Sequence, residues 1–135
     1  FATPFGPAGT FRGTESGRLV LNGLFIENRW KDTSDSGEVA EGIVYFGYDA
    51  KKRIYTQHGF DNEGVATAGE TVVEGNVWTT LGSRNDSKGQ RYRTRFVRTF
   101  ASDFRSYVMS AEYSSDEGKT WKLWWKVNSR KISKD

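Results

Sequence analysis

Residues 114–121 read Ser-Ser-Asp-Glu-Gly-Lys-Thr-Trp, and this stretch decides how the C-terminal part of the chain folds. Asp116 is placed to accept hydrogen bonds from backbone N–H groups, Gly118 can take a positive φ, and Trp121 can fold back over the turn. Residues alternate with period two before and after it, in 104–113 and 121–132. The stretch therefore predicts a tight turn that joins two long strands in a β-hairpin.

The pattern Ser-x-Asp-x-Gly-x-Thr-Trp resembles the Asp-box turn of sialidases. Sialidase propellers repeat such a unit in several blades, whereas this pattern occurs once in 135 residues and no internal repeat accompanies it. A sialidase-type propeller is therefore excluded. We interpret the Asp-box hairpin as a structural element that sets the register of its two strands.

The same alternation extends over most of the chain, and no helical period is sustained. It predicts strands at 10–20, 24–30, 39–48, 53–60, two short ones around 74–76, then 90–100, 104–113 and 121–132. Residues 31–38 are expected to form a loop. The prediction is a single all-β domain, 1–135, built as an antiparallel up-and-down meander of about nine strands that closes into a β-barrel.

Composition excludes several classes of function. There is no Cys, so disulfides, thiol catalysis and Cys-based zinc sites are excluded, and a single His leaves no recognisable metal-ligand spacing. No nucleotide-binding glycine loop is present. No apolar run approaches the roughly 20 residues that a membrane-spanning helix needs. We expect no cofactor, no metal and no membrane insertion, and a soluble protein.

Charge is unevenly distributed, with nine Lys or Arg against twelve Asp or Glu in residues 1–89 and eleven against five in residues 90–135. A basic half raises the question of an anionic partner. Arg91, Arg93 and Arg95 alternate with aromatic residues that point to the other face, so no base could stack beside them. We therefore expect no nucleic-acid partner.

Several segments together resemble a family of bacterial proteins with a lipocalin-like (calycin-type) β-barrel that is classed as a domain of unknown function. They are Leu-Asn-Gly-Leu-Phe-Ile-Glu at 21–27, Gly-Ile-Val-Tyr-Phe-Gly-Tyr-Asp at 42–49, the strand from Ile54 to Asp61, and Ser-Arg-Lys at 129–131. The resemblance implies a barrel with a ligand-sized cavity and a bacterial origin. The compartment stays open between cytoplasm and periplasm. It implies no reaction.

Family members usually begin with a strand that carries Gly-x-Trp, and residues 1–9 have no such signature. We expect this first strand to be absent from the sequence, and the gap to be covered by Phe1–Phe5 or by a partner chain. Alternation along 121–127 also places Leu123 inward and Trp124 outward, between Lys122 and Lys126. An exposed Trp is typical of an interface, so a homodimer is a possible assembly.

Alternation along the strands predicts one apolar inner face. The candidate ligand-binding residues on it are His58, Arg98, Tyr92, Phe96, Tyr107, Met109, Trp125 and Trp30. A mainly aromatic lining with a few polar groups suits a small hydrophobic or amphipathic ligand. An interior filled by these side chains remains the alternative, as does an internal ion pair for Arg98.

Three functions remain open. The first is a non-enzymatic barrel that binds a small apolar or amphipathic molecule. The second is a small-molecule enzyme, such as an isomerase, cyclase or hydrolase, in which His58 faces the interior and is oriented by an acid such as Glu41. The third is a structural or assembly protein.

Overall fold

A computed structural model of the chain describes residues 3–6 and 8–132, and all regular structure in this part is strand. Nine strands follow in chain order: β1 (Phe11–Val20), β2 (Phe25–Ser34), β3 (Val39–Asp49), β4 (Ile54–Asp61), β5 (Ala66–Glu74), β6 (Val77–Asn85), β7 (Arg91–Phe100), β8 (Ser106–Ser114) and β9 (Lys122–Arg130). Each neighbours the next in an antiparallel meander. The all-β meander of nine strands is confirmed.

Two details differ from the expectation. Strand β2 continues to Ser34, so only the last part of the predicted loop at 31–38 is a loop. The expected cover by Phe1–Phe5 lies partly outside the described residues, because Phe1 and Ala2 are not among them.

Contacts along the chain divide it into two compact units, Phe1–Glu70 and Thr71–Asp135, which are called here the N-terminal and the C-terminal unit. Each is described separately below.

In the N-terminal unit, cross-strand partners define two faces of the sheet. Ile26 lies opposite Phe46 and Trp30 opposite Gly42, and these residues belong to what we call the front face. Glu27 lies opposite Tyr45, and both belong to the back face. Directly opposed residues of an antiparallel pair point to the same side, so this register assigns every position of β1–β4 to one face or the other.

The register corrects the prediction that His58 faces the interior. His58 lies opposite Tyr45, on the back face, and is exposed. Its strand presents Gln57 and Gly59 to the front face instead. Gly59 is buried there, and a Cβ built on it would lie 2.9 Å from Oγ1 of Thr67, so this position has no room for a side chain.

In the C-terminal unit, one face carries most of the aromatic side chains. Thr80 lies opposite Phe96 in β6–β7, and Phe96 lies opposite Ala111 in β7–β8. Ala111 in turn lies opposite Trp125 of β9. This side of the sheet is called the aromatic face.

A β-bulge corrects the predicted orientation of Trp124. The pairing passes from Ala111–Trp125 to Glu112–Leu123, so Trp124 is the inserted residue of the bulge. Leu123, predicted to point inward, is therefore 47% exposed. Trp124, predicted to be exposed, is half-buried and its ring lies 6.0 Å from that of Phe96. Bulges reverse alternation beyond the inserted residue, which explains both errors.

The turn at 114–121 has the geometry that its sequence indicates. The carboxylate of Asp116 accepts hydrogen bonds from the backbone N and the hydroxyl of Thr120, at 2.9 and 2.6 Å. Ser114 donates to Asp116 and accepts from the N–H of Gly118. Gly118 has a φ of 88°. These bonds lower the pKa of Asp116, chiefly through the hydroxyls of Ser114 and Thr120.

Candidate functional site

The aromatic face of the C-terminal unit brings together six of the eight predicted site residues. Arg98 lies opposite Met109 across β7–β8, with Phe96 and Tyr107 on the same side of those strands. The six are Tyr92, Phe96, Arg98, Tyr107, Met109 and Trp125, and each is half-buried. Residues on three neighbouring strands thus form one surface, with Arg98 among apolar side chains.

Arg98 is held against its neighbours by two weakly polar contacts. Its guanidinium carbon lies 4.6 Å from the centre of the Tyr107 ring. Its Nη2 lies 3.5 Å from Sδ of Met109. A guanidinium stacked on an aromatic ring keeps its in-plane N–H donors directed past the ring edge. Arg98 is therefore positioned to donate to an acidic group on this face.

The rings on the aromatic face touch one another without being sealed from solvent. The ring centres of Phe96 and Trp125 are 5.9 Å apart. Those of Tyr92 and Tyr113 are also 5.9 Å apart, and both distances are typical of favourable aromatic pairs. Within the described part of the chain, Ala111 is the one apolar residue that is buried. A filled barrel core would bury several large side chains, so this face retains accessible apolar surface.

Alternation alone missed two residues of this surface. Arg84 lies in β6, and its guanidinium carbon is 5.6 Å from the centre of the Trp124 ring. Trp124 itself reaches the face through the bulge. Burial is the largest cause that raises the pKa of Tyr92, followed by the charge of Asp86, so its hydroxyl remains a donor at neutral pH.

Trp30 and His58 belong to the N-terminal unit. Trp30 is half-buried on the front face, where its ring covers Gly42. His58 is exposed on the back face, and the described residues include no hydrogen bond between it and a carboxylate such as Glu41. A catalytic role for His58 therefore has no support from its surroundings here and stays a prediction.

A buried carboxylate organises the back face of the N-terminal unit. Glu27 is 6% exposed and accepts hydrogen bonds from Nε of Arg29 at 3.0 Å, Nε of Arg18 at 3.1 Å and the hydroxyl of Tyr45 at 2.9 Å. The bonds from Arg29, Tyr45 and Arg18 lower the pKa of Glu27 from 4.5 to about 2. Glu27 is therefore ionised at all physiological pH values, and sequence alone did not single it out.

The described residues contain no group of three or more His, Asp or Glu side chains arranged to hold a metal ion. Among the same residues there is no helix with the length and apolarity needed to cross a bilayer.

Comparison with known proteins identifies a family but no function. Residues 2–130 match the family described as "Protein of unknown function (DUF1579)". No curated protein and no solved structure gives a match to the chain. Since the matched region covers nearly the whole sequence, the chain belongs to the DUF1579 family of proteins of unknown function.

Proposed function

We propose that the protein binds a small amphipathic molecule on the aromatic face, with the apolar part against Phe96 and Trp125 and an acidic group beside Arg98. The observation that carries the proposal is the position of the half-buried Arg98 guanidinium within a surface of half-buried aromatic side chains. Pockets for small ligands combine just these features, an apolar lining and a few polar groups that fix orientation.

The energetics favour an acidic ligand over a neutral one. A carboxylate or phosphate forms charge-assisted hydrogen bonds with a guanidinium, and these are stronger than the bonds a neutral group would form. The Tyr107 ring and the Met109 thioether also contact Arg98 and hold it on this face. The ring systems of Phe96 and Trp125 would contribute through burial of the ligand's apolar surface.

The proposal extends to the architecture and assembly. We infer from the family resemblance that the meander is of lipocalin-like (calycin) type and that the aromatic face lines its cavity. A homodimer remains a separate prediction, which light scattering of the protein over a range of concentrations would test. The packing of Trp124 against Phe96 removes the exposed Trp as an argument for that dimer.

Displacement of a fluorescent fatty-acid probe by unlabelled amphiphiles tests the function. We expect a long-chain carboxylate to compete better than the corresponding alcohol. Arg98→Gln should weaken binding of the carboxylate by about tenfold or more, because a charge-assisted hydrogen bond is lost. Binding of the alcohol should change little.

Arg91→Gln is the matched control, because Arg91 is exposed on the same strand and lies opposite Asn85, on the other side of the sheet. Its binding should equal that of the unsubstituted protein. Equal binding of carboxylate and alcohol, or equal losses in Arg98→Gln and Arg91→Gln, would contradict the proposal.

A further inference from the structure

The back face of the N-terminal unit contains a groove that is separate from the surface described above. It has a volume of about 510 Å³ and extends across β1–β4. Its lining side chains on the back face are Thr14, Ser16, Arg29, Lys31, Glu41, Ile43 and Phe60, with Asn62 at the end. The register assigns the side chains of the other lining residues to the front face, and Gly42 contributes backbone only; these residues are Glu15, Trp30 and Asp61. We call this the β1–β4 groove.

The half of the groove formed by β1 and β2 contains donors and cations. Thr14 lies opposite Lys31, and Ser16 lies opposite Arg29, so each hydroxyl has a cation as its cross-strand neighbour. The carboxylate of Glu15, the residue between the two hydroxyls, belongs to the front face. Two hydroxyls, an ammonium and a guanidinium within one small area form a surface that favours an oxyanion.

Arg29 is held in place for such a role. Its Nε donates to the buried Glu27 carboxylate at 3.0 Å, and Glu27 is fixed in turn by Arg18 and Tyr45. The Arg29 side chain is nevertheless 57% exposed. Because Nε alone makes the bond to Glu27, the two Nη groups are available for a bidentate contact with a carboxylate or phosphate.

The half formed by β3 and β4 has a different character. Ile43 and Phe60 are cross-strand partners, and Phe60 is 52% exposed. They offer a flat apolar surface directly beside Arg29, which lies opposite Ile43. Glu41, on the same face of β3, lies opposite Lys31 and would repel an anion placed over β3. The groove therefore has a polarity, with the anion at β1–β2 and an apolar body over β3–β4.

We propose that the β1–β4 groove binds a small organic oxyanion, a carboxylate or phosphate carried on a flat apolar body. The oxyanion contacts Arg29, Lys31 and the hydroxyl of Ser16, and the apolar body lies on Ile43 and Phe60. The site is independent of Arg98 and the aromatic face. Either site can therefore exist without the other.

Titration of the whole protein with benzoate, phenyl phosphate and benzyl alcohol, followed by calorimetry and by NMR of labelled protein, tests this proposal. We expect both anions to bind and the alcohol to bind at least about tenfold more weakly, as expected for loss of the charge-assisted bonds. The anion that binds more tightly identifies the preferred headgroup. NMR shifts should concentrate at Arg29, Ile43 and Phe60.

Variants separate this site from its alternatives. Lys31→Gln removes a cation for which no ion pair is found among the described residues, so the variant should fold normally. Its affinity for both anions should be about fivefold to tenfold lower. Lys51→Gln, an exposed cation in the β3–β4 turn, is the matched control, and Arg98→Gln reports on the aromatic face. Neither should change the affinity for benzoate.

Three results would each overturn the proposal. The first is that neither anion shows saturable binding up to roughly 10 mM, a concentration at which even so small a ligand should bind. The others are that benzyl alcohol binds as tightly as the anions, or that Lys31→Gln leaves the affinity for both anions unchanged. Loss of benzoate binding in Arg98→Gln with no effect of Lys31→Gln would assign the anion to the aromatic face instead, and would leave the function proposed above intact.

Discussion

The guanidinium of Arg98 lies over the ring of Tyr107, with 4.6 Å between the guanidinium carbon and the ring centre. The two residues are on adjacent strands, and Sδ of Met109, which lies directly opposite Arg98, is 3.5 Å from Nη2 of Arg98. This arrangement keeps a cation on an apolar surface without extending it into solvent. It is the feature from which the proposed ligand-binding role follows.

The bulge in β9 predicts that two nearby substitutions change the free energy of unfolding by very different amounts. Leu123→Ser changes an exposed side chain and should alter the free energy of unfolding by no more than about 0.5 kcal/mol. Trp125→Ser removes a ring that packs on Phe96 and should cost about 2 kcal/mol, less than for a fully buried Trp. Urea denaturation measures both. A larger loss from Leu123→Ser would mean that alternation without a bulge describes β9 correctly.

Close packing around Gly42 predicts that even one methyl group is not tolerated there. A Cβ at Gly42 would lie 2.5 Å from the carbonyl oxygen of Phe60 and 2.6 Å from Cζ2 of Trp30. Gly42→Ala should therefore lower the free energy of unfolding by about 2 kcal/mol, as overpacking does.

Gly17→Ala is the control, because its nearest neighbour, Cγ2 of Ile26, would be at an ordinary 3.9 Å. Its effect should lie within about 0.5 kcal/mol of zero or be slightly stabilising. Similar thermal midpoints for the two variants would argue against the pairing of Trp30 with Gly42.

The Glu27 network predicts a stability that falls in acid. Hydrogen bonds from Arg29, Tyr45 and Arg18 lower the pKa of Glu27 in the folded protein from 4.5 to about 2. The stabilisation is therefore complete above the unfolded pKa and is lost as pH falls through that interval. Thermal midpoints measured from pH 7 to pH 2 should show this decline.

In Glu27→Gln the midpoint at pH 7 should be lower than in the unsubstituted protein, and the difference should shrink as the pH approaches 2. A difference that stays constant with pH would show that the loss comes from packing rather than from the ionised carboxylate.

The turn at 114–121 predicts a role in stability alone. Asp116→Ala removes the acceptor for the N–H and hydroxyl of Thr120, so the thermal midpoint should fall by roughly 3 to 5 °C. Ser115→Ala, at an exposed position in the same turn, should have no effect. Ligand affinity should be the same in both variants, and a selective loss of affinity in Asp116→Ala would give the turn a functional role.

Sequence alone predicted the faces of β7 and β8 correctly, because Tyr92, Phe96 and Tyr107 alternate with charged or small residues over long strands. It was wrong for β4, because β3 is apolar on both faces: Val44 points to one side and Tyr45 to the other. With no polar face on β3, alternation could not decide which side of β4 faces inward, and only the register decides it.

The site was predictable to a similar degree. The aromatic residues and Arg98 share one strand period, so they could be grouped from sequence. The bulge at Trp124 is an insertion in pairing, which no single strand reveals. The same holds for the β1–β4 groove, where Ser16 and Arg29 meet only because of the β1–β2 register.

Met109 allows the most direct test of the proposed ligand site, because it is the single Met in the 135 residues and lies beside Arg98. Protein labelled with ¹³C at the Met methyl group, with Met109→Leu for assignment, would be titrated with a long-chain carboxylate. We predict a saturable shift of the Met109 methyl resonance that Arg98→Gln weakens by about tenfold. Saturable binding seen by calorimetry while this resonance stays unchanged would contradict a ligand on the aromatic face.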